Sequence, residues 1–207
     1  MGLPQHSSAH RVSKSVEAVA SLERDAELML RVRDGDETSF AILLERHRAP
    51  VVHFLYRMVR NQAVSEELAQ EVFLRVYRSR ANYQPTAKFT TWLFRIAMHL
   101  ALNAIRDGRR ERGHQSLDQE FGEGMARQVP DGTPNVEQEM AGQAKRREVR
   151  AAIGALPEKQ RAAVLMHKYQ DLGYAQISKV LECSESATKS LLFRAYETLR
   201  VRLAHLA

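Results

Sequence analysis

The stretch from Phe89 to Arg112 constrains the fold of this chain more than any other part of the sequence. Apolar residues recur in it at intervals of three and four, the spacing of one buried face of an α-helix. They are Trp92, Leu93, Ile96, Ala97, Leu100, Ala101, Ala104 and Ile105. We expect Thr90 or Thr91 to cap the start of this helix and Asp107-Gly108 to end it. The pattern predicts a long amphipathic helix at the centre of a helical core.

Arginines are concentrated beyond the apolar part of this helix, within about two helical turns. They are Arg106, Arg109, Arg110 and Arg112. Such a density of guanidinium groups suits phosphates, so a nucleic-acid backbone is the simplest partner. A solvated basic helix end explains these residues equally well, and that alternative stays open here.

Composition limits the class of protein. The chain has 207 residues and a formal net charge of +6, which allows one or two domains with cores and favours nucleic acid as a partner. No apolar run reaches the length of a membrane span, and the first residues lack the apolar core of a signal peptide. The single cysteine, Cys183, excludes an internal disulfide and a multi-cysteine zinc site. We therefore expect a cytoplasmic protein.

Charge divides the chain into four segments. Residues 1–24 carry +1 and are expected to be a flexible tail, whereas residues 25–112 carry +4. Residues 113–144 carry −5 and are rich in Gly, Pro, Gln and acids, which is typical of a linker, with a short helix expected at its end. Residues 145–207 carry +6. The sequence therefore predicts an all-α protein with two helical domains joined by a flexible acidic linker.

The first domain also contains histidines and an acidic helix. His47 and His53 have no carboxylate or further histidine at a ligand spacing, so we interpret them as packing or surface residues and expect no metal site. In the next helix, which Ser65 is expected to cap, apolar residues share one face and Glu67, Gln70 and Glu71 lie on others. Acidic faces usually serve solubility. In a basic domain, this one favours a protein partner that carries positive charge.

The loop between Ser79 and Phe89 combines an aromatic, amides and a base. Asn82, Tyr83 and Lys88 are the side chains that an unstacked nucleic-acid base would need, because a ring supplies stacking and an amide supplies hydrogen bonds. Many surface loops contain the same residue types. The loop alone is therefore a weak indication of nucleic-acid binding.

The C-terminal segment predicts a helix-turn-helix. A short helix from Tyr174 to Leu181 is followed by a tight turn and by a longer helix to about His205, which Ser184 caps. The outward residues of this longer helix are Glu185, Ser186, Lys189, Ser190, Phe193 and Arg194. Its N-terminal part is expected to enter the major groove. A helical hairpin that binds nothing is the alternative, and the charge of this segment disfavours it.

Four motifs in order carry a family resemblance: SEELAQEVFLRVYR, FTTWLFRIAMHLALN with arginines behind it, LPEKQRAAVLMHKYQ, and YAQISKVLECSESATKSLLFRA. The chain from about Asp25 to Leu203 resembles the extracytoplasmic-function sigma factors of bacterial RNA polymerase. The resemblance implies a first domain that binds the polymerase clamp and melts the promoter −10 element. It implies a second domain that binds the −35 element, and an anti-sigma factor as a further partner.

The resemblance also implies roles for individual residues. Glu67, Gln70 and Glu71 would dock on the basic coiled coil of the clamp in core RNA polymerase. The −10 element would be contacted by the loop and helix residues Asn82, Tyr83, Lys88, His99, Asn103, Arg106, Arg109 and Arg110. The outward helix face named above would contact the −35 element, and the linker would follow the RNA path of the polymerase.

The chain departs from the family pattern at three places. Glu182 stands in the helix-turn-helix turn where the family often has glycine, so a positive φ there would cost about 1 kcal/mol. His99 replaces a common asparagine. The run that ends at Arg194 is LLFR instead of a run like RLHR. These departures bear on which promoter is recognised and leave the general role unchanged.

Two other classes of protein fit these residues less well. A conventional helix-turn-helix regulator would share the C-terminal domain, but it would carry a sensor or dimerisation module in place of the arginine-tipped helix. A nucleic-acid enzyme would need a carboxylate cluster for metals or a nucleophile beside a base, and no such spacing occurs. We expect a protein that is not an enzyme and takes no cofactor. Its uneven charge further predicts a compact free protein that binds DNA weakly until core polymerase opens it.

Overall fold

A computed structural model describes residues 24–114 and 136–206, with side chains at 24–110 and 142–206, and every regular element in these ranges is helical. The helices are α1 (24–33), α2 (Glu37–Val59), α3 (Gln62–Arg78), α4 (Phe89–His114), α5 (Val136–Gly154), α6 (Glu158–Tyr169), α7 (Tyr174–Leu181) and α8 (Glu185–Arg202). Single 3-10 turns follow α3 at Arg80–Asn82 and α8 at Ala204–Leu206. The predicted all-α fold is confirmed. In the part of the chain described, no helix is apolar over a length that would cross a bilayer.

Helices α1 to α4 form the N-terminal unit. Helix α2 begins after Asp36, whose carboxylate accepts hydrogen bonds from the backbone N–H of Ser39 at 3.2 Å and its hydroxyl at 2.7 Å. The hydroxyl bond is the main reason that the pKa of Asp36 lies below its ordinary value. The helix continues through Pro50 and ends at Arg60, which adopts the left-handed conformation with φ 61°.

Helix α4 is the centre of the buried core, as the apolar spacing predicted. Leu93, Ala97 and Ala101 on the predicted face are fully buried. Phe94 and Met98 are also buried, and the ring of Phe94 packs edge-on against Phe54 at 5.3 Å between centroids. The sequence pattern missed these two because α4 is covered on more than one side, by α2 and α3 and by α7.

Three predicted helix ends in the N-terminal unit were wrong. Helix α3 begins one turn earlier than expected because Asn61 accepts from Val64 N–H at 3.1 Å, while Ser65 is buried inside the helix. Helix α4 already includes Thr90 and Thr91, so neither is its cap. The same helix passes through Asp107-Gly108 and reaches His114. Glycine costs about 1 kcal/mol inside a helix, and the arginines and glutamate that follow are strong helix formers that offset this cost.

The C-terminal unit contains the predicted helix-turn-helix in α7 and α8. Ser184 caps α8 as expected, accepting from Ala187 N–H at 3.1 Å. The predicted inward residues Thr188, Leu192 and Ala195 are buried. Helix α8 ends at Arg202, three residues before the predicted end, and a 3-10 turn follows.

Helix α5 occupies the end of the predicted linker. The linker residues 115–135 lie outside the described part, whereas residues 136–144 are helical, in line with the short helix expected there. Glu148 on α5 bonds to His205 at 2.7 Å, and Lys145 donates to the carbonyl of Leu206 at 2.5 Å. These bonds hold α5 against the end of the C-terminal unit.

The two units pack against each other through α2 with α6 and α4 with α7, and their buried apolar side chains join in one core. Arg161 of α6 is buried at this junction, and its Nη1 donates to the carbonyl of Met58 at 2.6 Å. Burial lowers the pKa of this guanidinium. The guanidinium of Arg57 lies 4.1 Å from the ring centre of Tyr169. The two helical units are thus packed together, while most of the acidic linker, to which the charge pattern attributed a compact free protein, lies outside the described residues.

Candidate nucleic-acid interface

A row of polar and basic side chains runs along the exposed side of α4. We name it the basic stripe, and its members are Arg95, His99, Asn103, Arg106, Arg109 and Arg110. All of them are exposed, and their spacing of three, four and seven places them along one side of the helix over about 20 Å. The sequence predicted five of these residues as DNA-binding and missed Arg95. Arg95 could have been found from its position, because it lies one helical turn before His99 on the same side of α4.

In the middle of the basic stripe, the side chains interact with other residues of α4. Arg106 donates to the side-chain oxygen of Asn103 at 3.1 Å, and its Nε lies 3.7 Å from the carboxylate of Asp107. Both interactions are exposed and therefore weak. They leave the guanidinium free to exchange these partners for a phosphate.

The two ends of the basic stripe contact acidic side chains of the C-terminal unit. Glu182 accepts from Arg95 Nη2 at 2.5 Å and Nε at 3.0 Å, and it lies 3.5 Å from His99 Nε2. Glu158 pairs with Arg109. The bond from Arg95 is the main cause of the lowered pKa of Glu182. The pKa of Glu158 is lowered first by the backbone N–H at the start of α6 and then by Arg109.

The loop before α4 borders a cavity of about 580 Å³. Its lining includes Asn82, Trp92 and Arg95 from the N-terminal unit and Lys179 from α7. Asn82 and Lys88 are exposed, as a nucleic-acid contact requires. The cavity joins amide, aromatic and basic groups at one place, and the contribution of Lys179 from a distant helix was missed by the sequence.

Tyr83 of the same loop also lines the cavity, but its side chain is buried. Its ring packs 5.0 Å from Trp92 and 6.4 Å from Phe89, between ring centroids. Its hydroxyl is buried and has no hydrogen-bond partner among the described residues, and burial raises its pKa. In this conformation the buried ring of Tyr83 packs beneath the loop and is not accessible for stacking with a base.

His47 lies behind this loop in a buried polar cluster. Its Nε2 is 2.8 Å from a carboxylate oxygen of Asp25, which also pairs with Arg46. The His47 ring packs 5.3 Å from Phe89, measured between centroids. His47 is thus a packing histidine, as interpreted, and His53 is exposed. No three His, Cys, Asp or Glu side chains form a metal-sized group within the described ranges.

The predicted acidic face of α3 is open to solvent. Glu67 and Gln70 are exposed, and Glu71 is half-buried and accepts from Arg75 one turn later at 2.6 Å. Leu74 follows on the same side of the helix and is 42% exposed. The surface therefore combines carboxylates with an apolar side chain, and the sequence had identified only its polar members.

The predicted outward face of α8 is exposed at all six positions named above. Phe193 is the most prominent of them, with 68% of its surface exposed. Ser190 donates to the Ser186 carbonyl at 3.0 Å, and Lys189 Nζ lies 5.9 Å from the ring centre of Tyr174. An exposed helix face with a lysine, an arginine and an aromatic can meet phosphates, guanine edges and thymine methyl groups.

Comparisons with known proteins match both units. Residues 43–111 match sigma-70 region 2, and residues 146–199 match sigma-70 region 4. The RNA polymerase sigma-H factor of Pseudomonas aeruginosa is 31% identical over 180 residues, which are 86% of this chain and 92% of that protein. The RNA polymerase sigma factor CarQ of Myxococcus xanthus is 34% identical, over 86% of this chain and 97% of that protein.

Two solved structures share the fold at low sequence identity. CnrH, in complex with the cytosolic domain of CnrY, aligns with a TM-score of 0.64 and 18% identity over 88% of this chain and 99% of that one. RpoE of Bartonella quintana, in complex with the anti-sigma factor NepR, aligns with a TM-score of 0.59 and 20% identity over 80% of this chain and 96% of that one. Together with the ECF sigma-E factor of Haemophilus influenzae, 30% identical over 86% of this chain and 95% of that protein, these matches extend over both helical units. The chain belongs to the extracytoplasmic-function family of RNA polymerase sigma factors.

Proposed function

We propose that this protein binds core RNA polymerase and directs initiation at promoters by recognising their −10 and −35 elements and melting the DNA. One observation carries the proposal: region 2 and region 4 each present an exposed surface suited to DNA, the basic stripe on α4 and the outward face of α8. Both lie on rigid helices, which hold side chains more precisely than loops do. In this role the protein is an initiation factor without chemistry of its own, acting in the cytoplasm.

The domain boundaries follow from this division of roles. We assign residues 1–24 to a tail, 25–112 to the region 2 domain, 113–144 to the linker and 145–207 to the region 4 domain. The helical bounds support shifting two of these limits, since α4 extends to His114 and α5 begins at Val136.

The −10 element is assigned to the basic stripe and the cavity beside it. Melting exposes single-stranded DNA, whose bases stack on aromatic rings and bond to amides while its phosphates meet cations. The cavity offers Trp92, Asn82 and Arg95 for these three tasks. Lys88 is exposed at the start of α4 and adds a further phosphate contact. Tyr83 positions the loop from beneath.

The acidic face of α3 is assigned to the polymerase clamp. Glu67, Gln70 and Glu71 supply charge and hydrogen-bond complementarity to a basic coiled coil, which increases the association rate and fixes the orientation. Leu74 supplies the apolar centre that a stable protein interface needs. The pair between Glu71 and Arg75 is exposed enough to exchange for an intermolecular pair.

The outward face of α8 is assigned to the −35 element, with Lys189 and Arg194 as its cations. We also propose an anti-sigma factor as a regulatory partner. One solved structure of the same fold is a complex with the anti-sigma factor NepR, and another contains the cytosolic domain of CnrY.

Reconstituted transcription tests the function. The protein is mixed with core RNA polymerase and fragmented genomic DNA, and transcript starts are mapped, with core enzyme alone as the control. We expect specific starts that share −10 and −35 sequences and depend on the added protein. A conventional regulator would produce no specific starts with core enzyme and would alter starts only when another sigma factor is present.

A further inference from the structure

The arrangement of the two units places acidic side chains at both ends of the basic stripe. Arg95 and Arg109 are separated by fourteen positions, about 20 Å along α4, and each pairs with a glutamate of region 4. Glu182 comes from the end of α7 and Glu158 from the start of α6. We name Arg95–Glu182 and Arg109–Glu158 the cross-domain ion pairs.

The backbone at Glu182 is unfavourable for a residue with a side chain. Glu182 has φ 52° and ψ 50°, the left-handed conformation that glycine adopts without strain. Glu182 adopts this conformation despite its cost, and its carboxylate accepts two hydrogen bonds from Arg95 and lies near His99. The interaction across the domains gives a physical reason for a carboxylate at this turn.

The second carboxylate is held in place by the domain junction. Glu158 begins α6, one turn before Arg161, and Arg161 is fixed by its bond to the carbonyl of Met58 in α2. The carboxylate is therefore aimed at Arg109 by a helix that is already docked on region 2. Gln176 of α7 adds a polar contact one turn of α4 before Arg95, since its Nε2 lies 3.4 Å from Thr91 Oγ1.

We propose that Glu158 and Glu182 act as internal substitutes for DNA phosphates, closing region 4 over the −10-binding side of α4 in the free protein. A carboxylate and a phosphate oxygen compete for the same guanidinium hydrogens. Single-stranded −10 DNA must therefore displace both glutamates to occupy the basic stripe. This inference rests on the proposed −10 role of the stripe.

The closed arrangement is also incompatible with a whole promoter. The −10 and −35 elements are about 25 base pairs apart, or about 85 Å at the rise of B-DNA. In the structure the turn of the helix-turn-helix touches α4 directly through Glu182. The two units must separate before each can reach its element. The outward face of α8 stays exposed in the closed form. Closure therefore blocks access of DNA to the −10-binding surface and leaves the −35-binding surface accessible.

The ion pairs are suited to a reversible contact. The side chains of Arg95, Glu182 and Arg109 are each at least 50% exposed, so the pairs are individually weak and are screened by salt. Phosphates of a DNA strand, which meet several cations at once, can replace them. The pairs therefore act together with the apolar junction and the Arg161 bond, and they bias the equilibrium between closed and open forms without locking it.

Closure is measured first, without DNA or polymerase. Donor and acceptor dyes are placed at exposed Thr38→Cys in α2 and Val201→Cys in α8, in full-length protein carrying Cys183→Ser. We expect high transfer efficiency at low salt, and lower efficiency in the double variant Glu158→Gln, Glu182→Gln. Glu197→Gln is the matched control because its arginine partner, Arg200, lies on its own helix, and it should not alter the transfer.

Exchanging the charges of Glu182 and Arg95 distinguishes domain opening from unfolding of the variant. Glu182→Arg alone should open the protein, and adding Arg95→Glu should close it again, with helical content unchanged by circular dichroism. Equal transfer in wild type and in all these variants overturns the inference. So does low transfer in the wild type at low salt.

Binding of a single-stranded −10 oligonucleotide to the free protein then tests the consequence. The double glutamine variant should bind several-fold more tightly than wild type, while Glu197→Gln should match wild type. An opened variant with unchanged oligonucleotide affinity overturns the role as phosphate substitutes. Transcription with core enzyme separates the two proposals. If the wild-type protein supports no specific transcription, the proposed function is refuted. The energy-transfer measurement tests closure of the free protein whatever the result of the transcription assay.

Discussion

Nη1 of Arg161 lies 2.6 Å from the carbonyl oxygen of Met58, so a residue of region 4 completes the C-terminal end of a region 2 helix. The last carbonyls of a helix have no partner within it, and they attract cations because the helix dipole is negative there. Arg161 also donates to Leu156 at 3.3 Å and is only 9% exposed. One buried guanidinium thus joins α2, the start of α6 and the loop between α5 and α6.

Replacing Arg161 should destabilise the protein. Arg161→Met keeps much of the volume but leaves the Met58 carbonyl buried without a donor, and a charged hydrogen bond of this kind is worth about 1.5–3 kcal/mol. We expect the free energy of unfolding, measured in urea, to fall by about that amount. Arg150→Met on the exposed side of α5 is the control and should change it by less than about 0.5 kcal/mol. Equal stability of the two variants would show that the buried bond contributes nothing.

Polymerase binding should depend on the acidic face of α3. Reversing Glu67 and Glu71 to Lys places positive charge against a basic clamp, and we expect the affinity for core enzyme to fall at least about tenfold, or about 1.4 kcal/mol. Leu74→Ala should also weaken binding while leaving the salt dependence unchanged, because it removes only apolar contact. Fluorescence anisotropy of labelled protein titrated with core enzyme measures both effects.

The control for this prediction is Glu45→Lys, which makes the same charge change at an exposed position of α2. It should bind core enzyme as the wild type does. Equal affinity of the α3 variants and this control would exclude the acidic face as the clamp-binding surface.

Much of the fold could be predicted because each unit has strong local signals. The apolar spacing of α4 and the cap at Ser184 arise from residues close in sequence, and both were confirmed. The helix ends were less certain because competing signals lie within one turn, as at Asn61 and Ser65. Phe94 was missed for another reason: it is buried by contact with Phe54, forty residues earlier.

The candidate site was only partly predictable for the same reason. Exposure of the α8 face and of the α3 acids follows from helical periodicity. Lys179 and Arg95, by contrast, meet at one cavity only because region 4 docks on region 2, and no local pattern encodes that docking. Tyr83 was expected to face a base, but Phe89 and Trp92 surround its ring. The position of Tyr83 within the loop sequence did not indicate that its side chain faces the core.

Promoter choice should depend on different residues of α8 in different ways. Lys189→Ala removes a phosphate contact, so affinity should fall for all sequences and the slope of log affinity against log salt should decrease by about one. Arg194→Ala should lose about 1–3 kcal/mol of discrimination at one base pair. Phe193→Ala should relax a preference for thymine, because an exposed ring contacts its methyl group.

Holoenzyme binding to a library randomised across the −35 element, repeated at several salt concentrations, measures all three variants of α8. The neighbouring exposed residue Arg200, which pairs with Glu197 on the same helix, supplies the control Arg200→Ala. Sequence preferences of Arg194→Ala and Phe193→Ala identical to those of Arg200→Ala would mean that another surface reads the −35 element.

Acidification should open the closed form through Glu158 and Glu182. The pKa of Glu182 lies below the ordinary glutamate value of 4.5 chiefly because of Arg95, and Arg109 adds to the lowering of the pKa of Glu158 that begins with the backbone N–H of α6. Only the contributions of these two arginines act across the junction, so the stabilisation of closure that they supply is complete above pH 4.5 and is lost as the pH falls through the lowered values. The cations facing Glu182 are Arg95, His99 and Lys159, and those facing Glu158 are Arg109 and Arg161.

The opening is followed as the radius of gyration in small-angle X-ray scattering between pH 7 and pH 3.5. Circular dichroism at each pH identifies any loss of helix, which would be unfolding and not domain separation. We expect the radius to rise below pH 4.5 in wild type at constant helical content. The double variant Glu158→Gln, Glu182→Gln should already have the larger radius at pH 7 and should change little on acidification, because the two carboxylates that titrate across the junction are gone. A pH response of equal size in wild type and variant would assign the opening to other groups and contradict this prediction.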